Sequence, residues 1–365
     1  MREEGQISQQ QFAFLLTAFL VGRSTLLTPV GPAKQDGWLA VLMGALLAGI
    51  PALIWLALGQ RFGRQSPVTY IRQTLGEFLG LPLVILYLWH FLHMGAGVAR
   101  NMSEMYVTAL MPETPILVFS AAIIFLAASS VRSGVECISR LAEILTPWLV
   151  LFVMSLNVLT LFTPNLAHWQ YLKPILGSGW LNLLRGAFLS FAFPFSEAVV
   201  FGFVFPHLND SRSMRRYTLV TMAFVAVLLS VTYVRNLVVL GPYEIAHLTF
   251  PSLTAVEQID LGDFFQRLEP LIIFIWTFGG FLKLAILLYV VCLGSAQLLG
   301  LKDYRVLVLP FAILMTCLSV LIYENFAQVE EFYSTIYPLY TLPFALLLPA
   351  LVLAIALIRG KLHVP

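Results

Sequence analysis

Phe193-Pro194-Phe195-Ser196-Glu197 places a proline and a carboxylate in the middle of residues 186–206, a stretch otherwise apolar enough to cross a membrane. Proline inside a helix removes a backbone hydrogen bond and clashes with the preceding turn. In hydrocarbon the freed backbone groups need partners, so such a break is tolerated only beside a cavity or other protein. A second break has the same character: Gly22-Arg23-Ser24-Thr25 interrupts residues 9–31, again with a charge beside it. Pro51, Pro349 and Gly279-Gly280 also interrupt apolar runs, so simple kinking is the alternative reading.

Working outward from these breaks, stretches long enough to cross the hydrocarbon core, about 20 residues, fall at 9–31, 38–58, 81–108, 115–131, 142–163, 186–206, 217–240, 270–296, 305–323 and 336–358. The charges between them test this count. With the N-terminus inside, thirteen of the 21 basic residues fall on inner segments and four (Lys34, Lys173, Arg185, Arg267) on outer ones. That is the bias the positive-inside rule requires. The expected architecture is therefore an all-α integral membrane protein of ten transmembrane helices, a single polytopic unit with both termini cytoplasmic. Two outer segments, 164–182 with its His168, Trp169, Tyr171 and Trp180 and 242–269, suit headgroup-level segments or ordinary long loops.

Ten spans divide into five and five, and because five is odd the second half runs upside down relative to the first. Repeat one would cover about 9–163 and repeat two about 186–358. Transporters built from such inverted repeats bind their ligands where the first helix of each repeat is broken at mid-membrane. Charges inside spans point the same way, since an ionised side chain at a helix centre costs about 2.5–3.5 kcal/mol on insertion scales. Arg100 and Glu104, four residues apart, can pair along one helix face. Lys283 has no acid in its own neighbourhood and must find a partner on another helix. Arg235 lies nearer a helix end and is expected to snorkel. His90 and His93 share a face and are expected to donate hydrogen bonds to neighbouring helices.

Composition closes off other classes. Hydrophobic residues make up 59% of 365 positions, charged residues 11%, and the mean hydropathy is +0.87, whereas a soluble domain carries about 25% charged residues. A net charge of +2 without a basic run is too small to suggest nucleic acid, and none is expected as a partner. Cys137, Cys292 and Cys317 match no metal or redox spacing and read as small core residues. No cleavable signal peptide opens the chain, so the first apolar run is expected to remain. There is no GxxxxGK, HExxH or GxSxG, so neither an enzyme nor a cofactor is expected.

Several further stretches are distinctive: Met111-Pro112-Glu113-Thr114-Pro115, Arg140-Leu141-Ala142-Glu143-Ile144-Leu145-Thr146-Pro147, Ser190-Phe191-Ala192-Phe193 with Glu197, and Phe250-Pro251-Ser252-Leu253. Gln258-Ile259-Asp260-Leu261-Gly262-Asp263 and the Trp276 to Tyr289 stretch around Lys283 complete the set. In this order and spacing the chain resembles the B subunit of the nutrient germinant receptors of bacterial spores, a branch of the amino acid–polyamine–organocation transporter superfamily. The resemblance implies a LeuT-type fold and sensing of an amino acid or similar small nutrient at the spore inner membrane, beside an A subunit and a lipoprotein C subunit. A proton-coupled amino-acid transporter of the same fold is the alternative.

The ligand is then expected between four spans. The first contributes Gly22, Arg23, Ser24 and Thr25, the third Gly97, Arg100 and Asn101, the sixth Phe193, Ser196 and Glu197, and the eighth Gly279 and Lys283. Arg23 departs from the small residues usual at the first break of this superfamily, which suggests an altered ligand or an Arg23–Glu197 pair. By analogy with the fold, Lys283 would place an ammonium where a sodium ion otherwise sits, near the carbonyls of residues 20–23, making binding independent of sodium.

Overall fold

The computed structural model describes residues 5–25, 30–209, 213–259 and 268–360, and apart from one isolated bridge, Ile7 with Leu208, every regular element among them is helical. Residues 26–29 of the first expected span, 260–263 of the Gln258 to Asp263 motif, and Arg2, Arg212, Arg267 and Lys361 lie outside the described residues.

The chain opens with α1, Gln9–Val21, started by a reciprocal capping box in which Ser8 accepts from the Gln11 amide and Gln11 accepts from the Ser8 amide. It continues through α2 (Gly37–Phe62), α3 (Pro67–Leu75), α4 (Glu77–Ala109), α5 (Ile116–Arg132) and α6 (Val135–Phe162). The second half comprises α7 (Trp180–Ala192), α8 (Met214–Glu244), α9 (Pro251–Glu257), α10 (Glu269–Leu299) and α11 (Val308–Leu321). A last run, α12, spans Phe326–Ile358 and contains two π-helical turns, Phe332–Ile336 and Pro343–Leu347.

Among the described residues, eight helical stretches are long and apolar enough to cross a membrane, with α7 counted together with the turn that follows it (Trp180–Phe203) and α11 with the turn before it (Tyr304–Leu321), and α1 and α5, of 13 and 17 residues, are shorter apolar helices. The ten expected spans thus resolve into eight long helices and two short ones. The first span is short because regular helix stops at Val21. The last begins ten residues before the expected 336, at Phe326, where Asn325 caps it by accepting from the Gln328 amide at 3.0 Å.

Position follows from how much apolar surface each helix can leave to lipid. Residues 281–296 of α10 are buried without interruption, so this helix is wrapped on all sides by protein. By contrast α6 and α11 turn Trp148, Leu151, Ile313 and Leu314 outward. Beside α10, Phe201 packs edge-on against Phe12 and Phe19 at 5.5 and 5.2 Å, which sets α1 against the chain that follows α7. At one end of the bundle the beginning of the chain is stitched to residues 207–209: the Ile7 amide donates to the His207 carbonyl and the Asn209 amide to that of Ile7. At the other end Asp36 accepts from the Leu176 and Ser178 amides and the Ser178 hydroxyl, tying residues 174–178 to the start of α2.

Candidate functional site

The break after α7 has a local cause. Pro194 has no N–H, and the residue before a proline is pushed out of the helical region. Phe193 accordingly adopts φ −136°, ψ 123°, and the chain resumes as a tighter 3-10 turn, Phe195–Phe203. Helix ends leave carbonyls without partners. Here Ser196 donates back to the Ala192 carbonyl at 2.7 Å, as Ser24 does to that of Leu20 at 2.7 Å in the corresponding place after α1. The two serines expected to face a ligand therefore hold the backbone of the breaks. Thr25 is likewise engaged through its carbonyl, which accepts from Ser252, itself bonded by Asn236 at 2.7 Å.

Burial and charge then decide the pairing. Lys283 and Glu197 are both fully buried and form a salt bridge, and the Tyr337 hydroxyl donates to the other carboxylate oxygen of Glu197 at 2.6 Å. Lys283 thus finds the partner on another helix that its sequence position demands, and no hydrogen bond from its ammonium to the carbonyls of residues 20–23 occurs among the described residues. The Arg23–Glu197 pair does not form. Arg23 lies instead against two rings, its guanidinium carbon 4.0 Å from the Tyr333 centroid and 4.5 Å from that of Phe193. Phe193 also lies 5.1 Å from the Lys283 ammonium, so two cations share one ring.

Arg100 and Glu104 pair along α4 as expected, at 2.7 Å, and Arg100 donates further to the Tyr323 carbonyl at 2.9 Å. Arg235 does not snorkel: it is buried and donates to Asn236, an acceptor inside the protein. His90 does not bond neighbouring helices among the described residues. Its ring stacks flat on Phe344, 4.2 Å between centroids and 6° between planes. Of the cysteines Cys292 is buried, but Cys317 faces outward.

Above the Phe193 break lies a cavity of about 280 Å³. Arg23, Asn101, Phe193, Tyr233 and Tyr333 form its buried parts, while Gly31, Ala246, Glu330 and Ser334 are exposed at its margin. Leu189, Ile245, Leu248, Pro251, Phe326 and Val329 give it apolar walls. Two polar groups on it lack partners among the described residues: Nε and Nη1 of Arg23, and Oδ1 of Asn101, whose Nδ2 donates to the Gly97 carbonyl at 2.8 Å. No group of three or more metal-ligating side chains occurs among the described residues.

Three of the expected residues, Arg23, Asn101 and Phe193, thus line one cavity, with Lys283 and Glu197 buried close to Phe193. The others have different work. Gly22 and Gly279 are a backbone-to-backbone contact between the end of α1 and α10, where a Cβ on either would overlap the other. Gly97 makes room for the Tyr333 hydroxyl. Arg100 belongs to the tie between α4 and the end of α11. Sequence reading missed the contribution of α12, Phe326, Glu330 and Tyr333, because residues 324–335 are polar enough to pass for a loop. The Asn325 cap followed three residues later by Gln328 is a helix-start signal that points to it.

The comparisons agree with this geometry. The family described as spore germination protein matches residues 6–327. Spore germination protein KB of Bacillus subtilis (strain 168) is 28% identical over 361 residues, 98% of this chain and 96% of that protein. Spore germination protein YndE of the same organism is 24% identical over 321 residues, 86% of this chain and 87% of that protein. Among solved structures, MhsT in complex with L-phenylalanine superposes with a TM-score of 0.70 at 14% identity, covering 97% of this chain and 90% of that one. Mhp1, a nucleobase-cation-symport-1 family transporter in a closed conformation with bromovinylhydantoin bound, gives 0.69 at 12% identity, covering 98% and 80%. These neighbours are LeuT-fold transporters rather than enzymes, so the chain has the LeuT fold. With its apolar helices, its LeuT fold and a family match over most of its length, the chain is an integral membrane protein that belongs to the spore germination protein family.

Proposed function

We propose that this protein is the membrane subunit of a spore nutrient-germinant receptor and that it binds an amino acid or similar small nutrient in the cavity above the Phe193 break. The observation that carries this reading is the cavity itself. It is bounded by the residue that ends α7 and by the turn that ends α1, the two places where a LeuT-fold protein has polar backbone and side chains at membrane depth. Its volume, about 280 Å³, is just below the range of about 300–1,000 Å³ for ligand pockets, a size that suits a molecule no larger than an amino acid. MhsT and Mhp1 are each described with a small organic molecule bound, which supports the same use of the fold here.

In this reading α1, α2, α4, α5 and α6 form repeat one, about 9–163, and α7, α8, α10, α11 and α12 form repeat two, about 186–358. Together they are ten membrane crossings of a single polytopic domain in the spore inner membrane, with both termini cytoplasmic. The A and C receptor subunits are its partners. Uptake of radiolabelled amino acids into proteoliposomes of the purified protein tests the reading. Saturable binding without accumulation is the expected result. Accumulation driven by a pH gradient would make the protein a proton-coupled transporter, and neither binding nor uptake would leave it a scaffold.

A further inference from the structure

We infer that a second, much smaller cavity, between α6, α8, α9 and α10, binds one halide ion, chloride in ordinary media, on the guanidinium of Arg235. The inference stands apart from whatever fills the larger cavity at the Phe193 break. Three observations carry it.

The first is a buried charge without a counter-charge. Among the described residues the other buried cations are accommodated: Lys283 and Arg100 hold carboxylates, and Arg23 lies on two rings. Arg235, 5% exposed, pairs with no carboxylate and rests on no ring among those residues. Its acceptor is the neutral Oδ1 of Asn236, 3.0 Å from Nε and 2.6 Å from Nη2. Glu244 and Glu257, on α8 and α9, are exposed, where water screens them. A lone charge taken out of water is costly unless an opposite charge joins it.

The second is the free edge of that guanidinium. Asn236 takes the side edge, Nε and Nη2. The end edge, Nη1 with the second hydrogen of Nη2, makes no hydrogen bond among the described residues. Arg235 lines a cavity of about 10 Å³ together with Thr25, Asn157, Thr232 and Ser252, and apolar side chains of α6 and α10 complete the wall. That is room for one water-sized occupant. A carboxylate, phosphate or sulfate is too large, whereas a halide fits. Water would satisfy the N–H groups but not the charge, and with apolar walls the attraction between an anion and Arg235 is weakly screened.

The third is Asn157, 8% exposed on the same cavity. Its Nδ2 donates to the Thr232 hydroxyl at 3.2 Å, and its Oδ1 is buried without a donor among the described residues. Turned over, the amide keeps that contact, with the Thr232 hydroxyl donating to Oδ1, and presents Nδ2 to the cavity. An anion there would hold it in that sense and remove the orphaned oxygen. The ion would also fasten neighbouring elements, because Asn236 donates to Ser252 and Ser252 to the Thr25 carbonyl.

The test uses the full chain in lipid nanodiscs, freed of chloride by exchange into sodium gluconate. Binding of radiolabelled chloride is expected to saturate at one ion per chain and to be displaced by bromide but not by sulfate. Chloride and bromide should raise the melting temperature saturably by several degrees, because a ligand of the native state stabilises it. Sulfate at equal ionic strength should not. Arg235→Gln is expected to abolish both responses yet lose no stability in gluconate, since it also removes the uncompensated charge. Asn157→Asp places a carboxylate beside Arg235. It should melt higher than the wild type in gluconate and bind chloride at least about 100-fold more weakly. No saturable chloride binding by the wild-type chain overturns the inference, and the cavity then holds water. Binding unchanged in a folded Arg235→Gln overturns it too, and if that variant does not fold, full chloride affinity in Asn157→Asp does the same.

Discussion

A lysine with neither water nor a lipid headgroup in reach needs a carboxylate, and Lys283 has Glu197, with the Tyr337 hydroxyl on the second oxygen. Removing one member of a buried pair leaves the other uncompensated, at about 3–5 kcal/mol, whereas replacing both with apolar or neutral groups is far milder. Lys283→Met and Glu197→Gln should each lower the melting temperature sharply, and the double variant should recover most of the loss. Additive losses in the double-mutant cycle would show that the two side chains act independently. That Lys283 needs a distant acid is legible in the sequence. Which acid is not, because two cations, Arg23 and Lys283, compete for Glu197 and only the packing decides. Tyr333, on a helix 310 residues from Arg23, takes the arginine by its ring.

At the scale of elements, the place where α1 ends against α10 is set by two glycines. A side chain on Gly22 or Gly279 would strike the opposing backbone, which unlike a flexible side chain cannot swing away. Gly22→Leu is therefore expected to prevent folding, seen as aggregation in detergent size-exclusion chromatography, and Gly279→Leu to do the same. A folded Gly22→Leu that merely loses ligand would return Gly22 to the binding site. Gly97 behaves differently. A methyl group there would come within 2.5 Å of the Tyr333 hydroxyl, and a tyrosine tip can move. Gly97→Ala should fold normally yet weaken nutrient binding by about 10-fold, about 1.4 kcal/mol, through displacement of the ring that holds Arg23. Unaltered affinity would separate Tyr333 from the site. The break after α7 was readable from Pro194 alone, since its effect on Phe193 is local. The start of α12 was hidden because its first turns face the cavity and carry Gln328, Glu330 and Glu331, which dilute the apolar signal.

At the scale of the molecule, apolar length and basic-residue bias together were enough to read an all-helical membrane protein, and the LeuT-type fold came from the family resemblance and is the fold of the structural neighbours. The cavity was less legible, because it is assembled from chain segments near residues 23, 101, 193, 249 and 333 that have no common pattern in one dimension. The central claim is that a small nutrient occupies that cavity, and Ser334, exposed at its margin, gives access to it. With Cys137 and Cys317 replaced by serine and Cys292 buried, a Ser334→Cys variant carries one reactive thiol. The most direct measurement is its rate of modification by a bulky methanethiosulfonate, with and without a mixture of the common amino acids. Occupancy predicts that the mixture slows modification several-fold and that the modified protein no longer binds nutrient. An unchanged rate, with binding retained after complete modification, would contradict it.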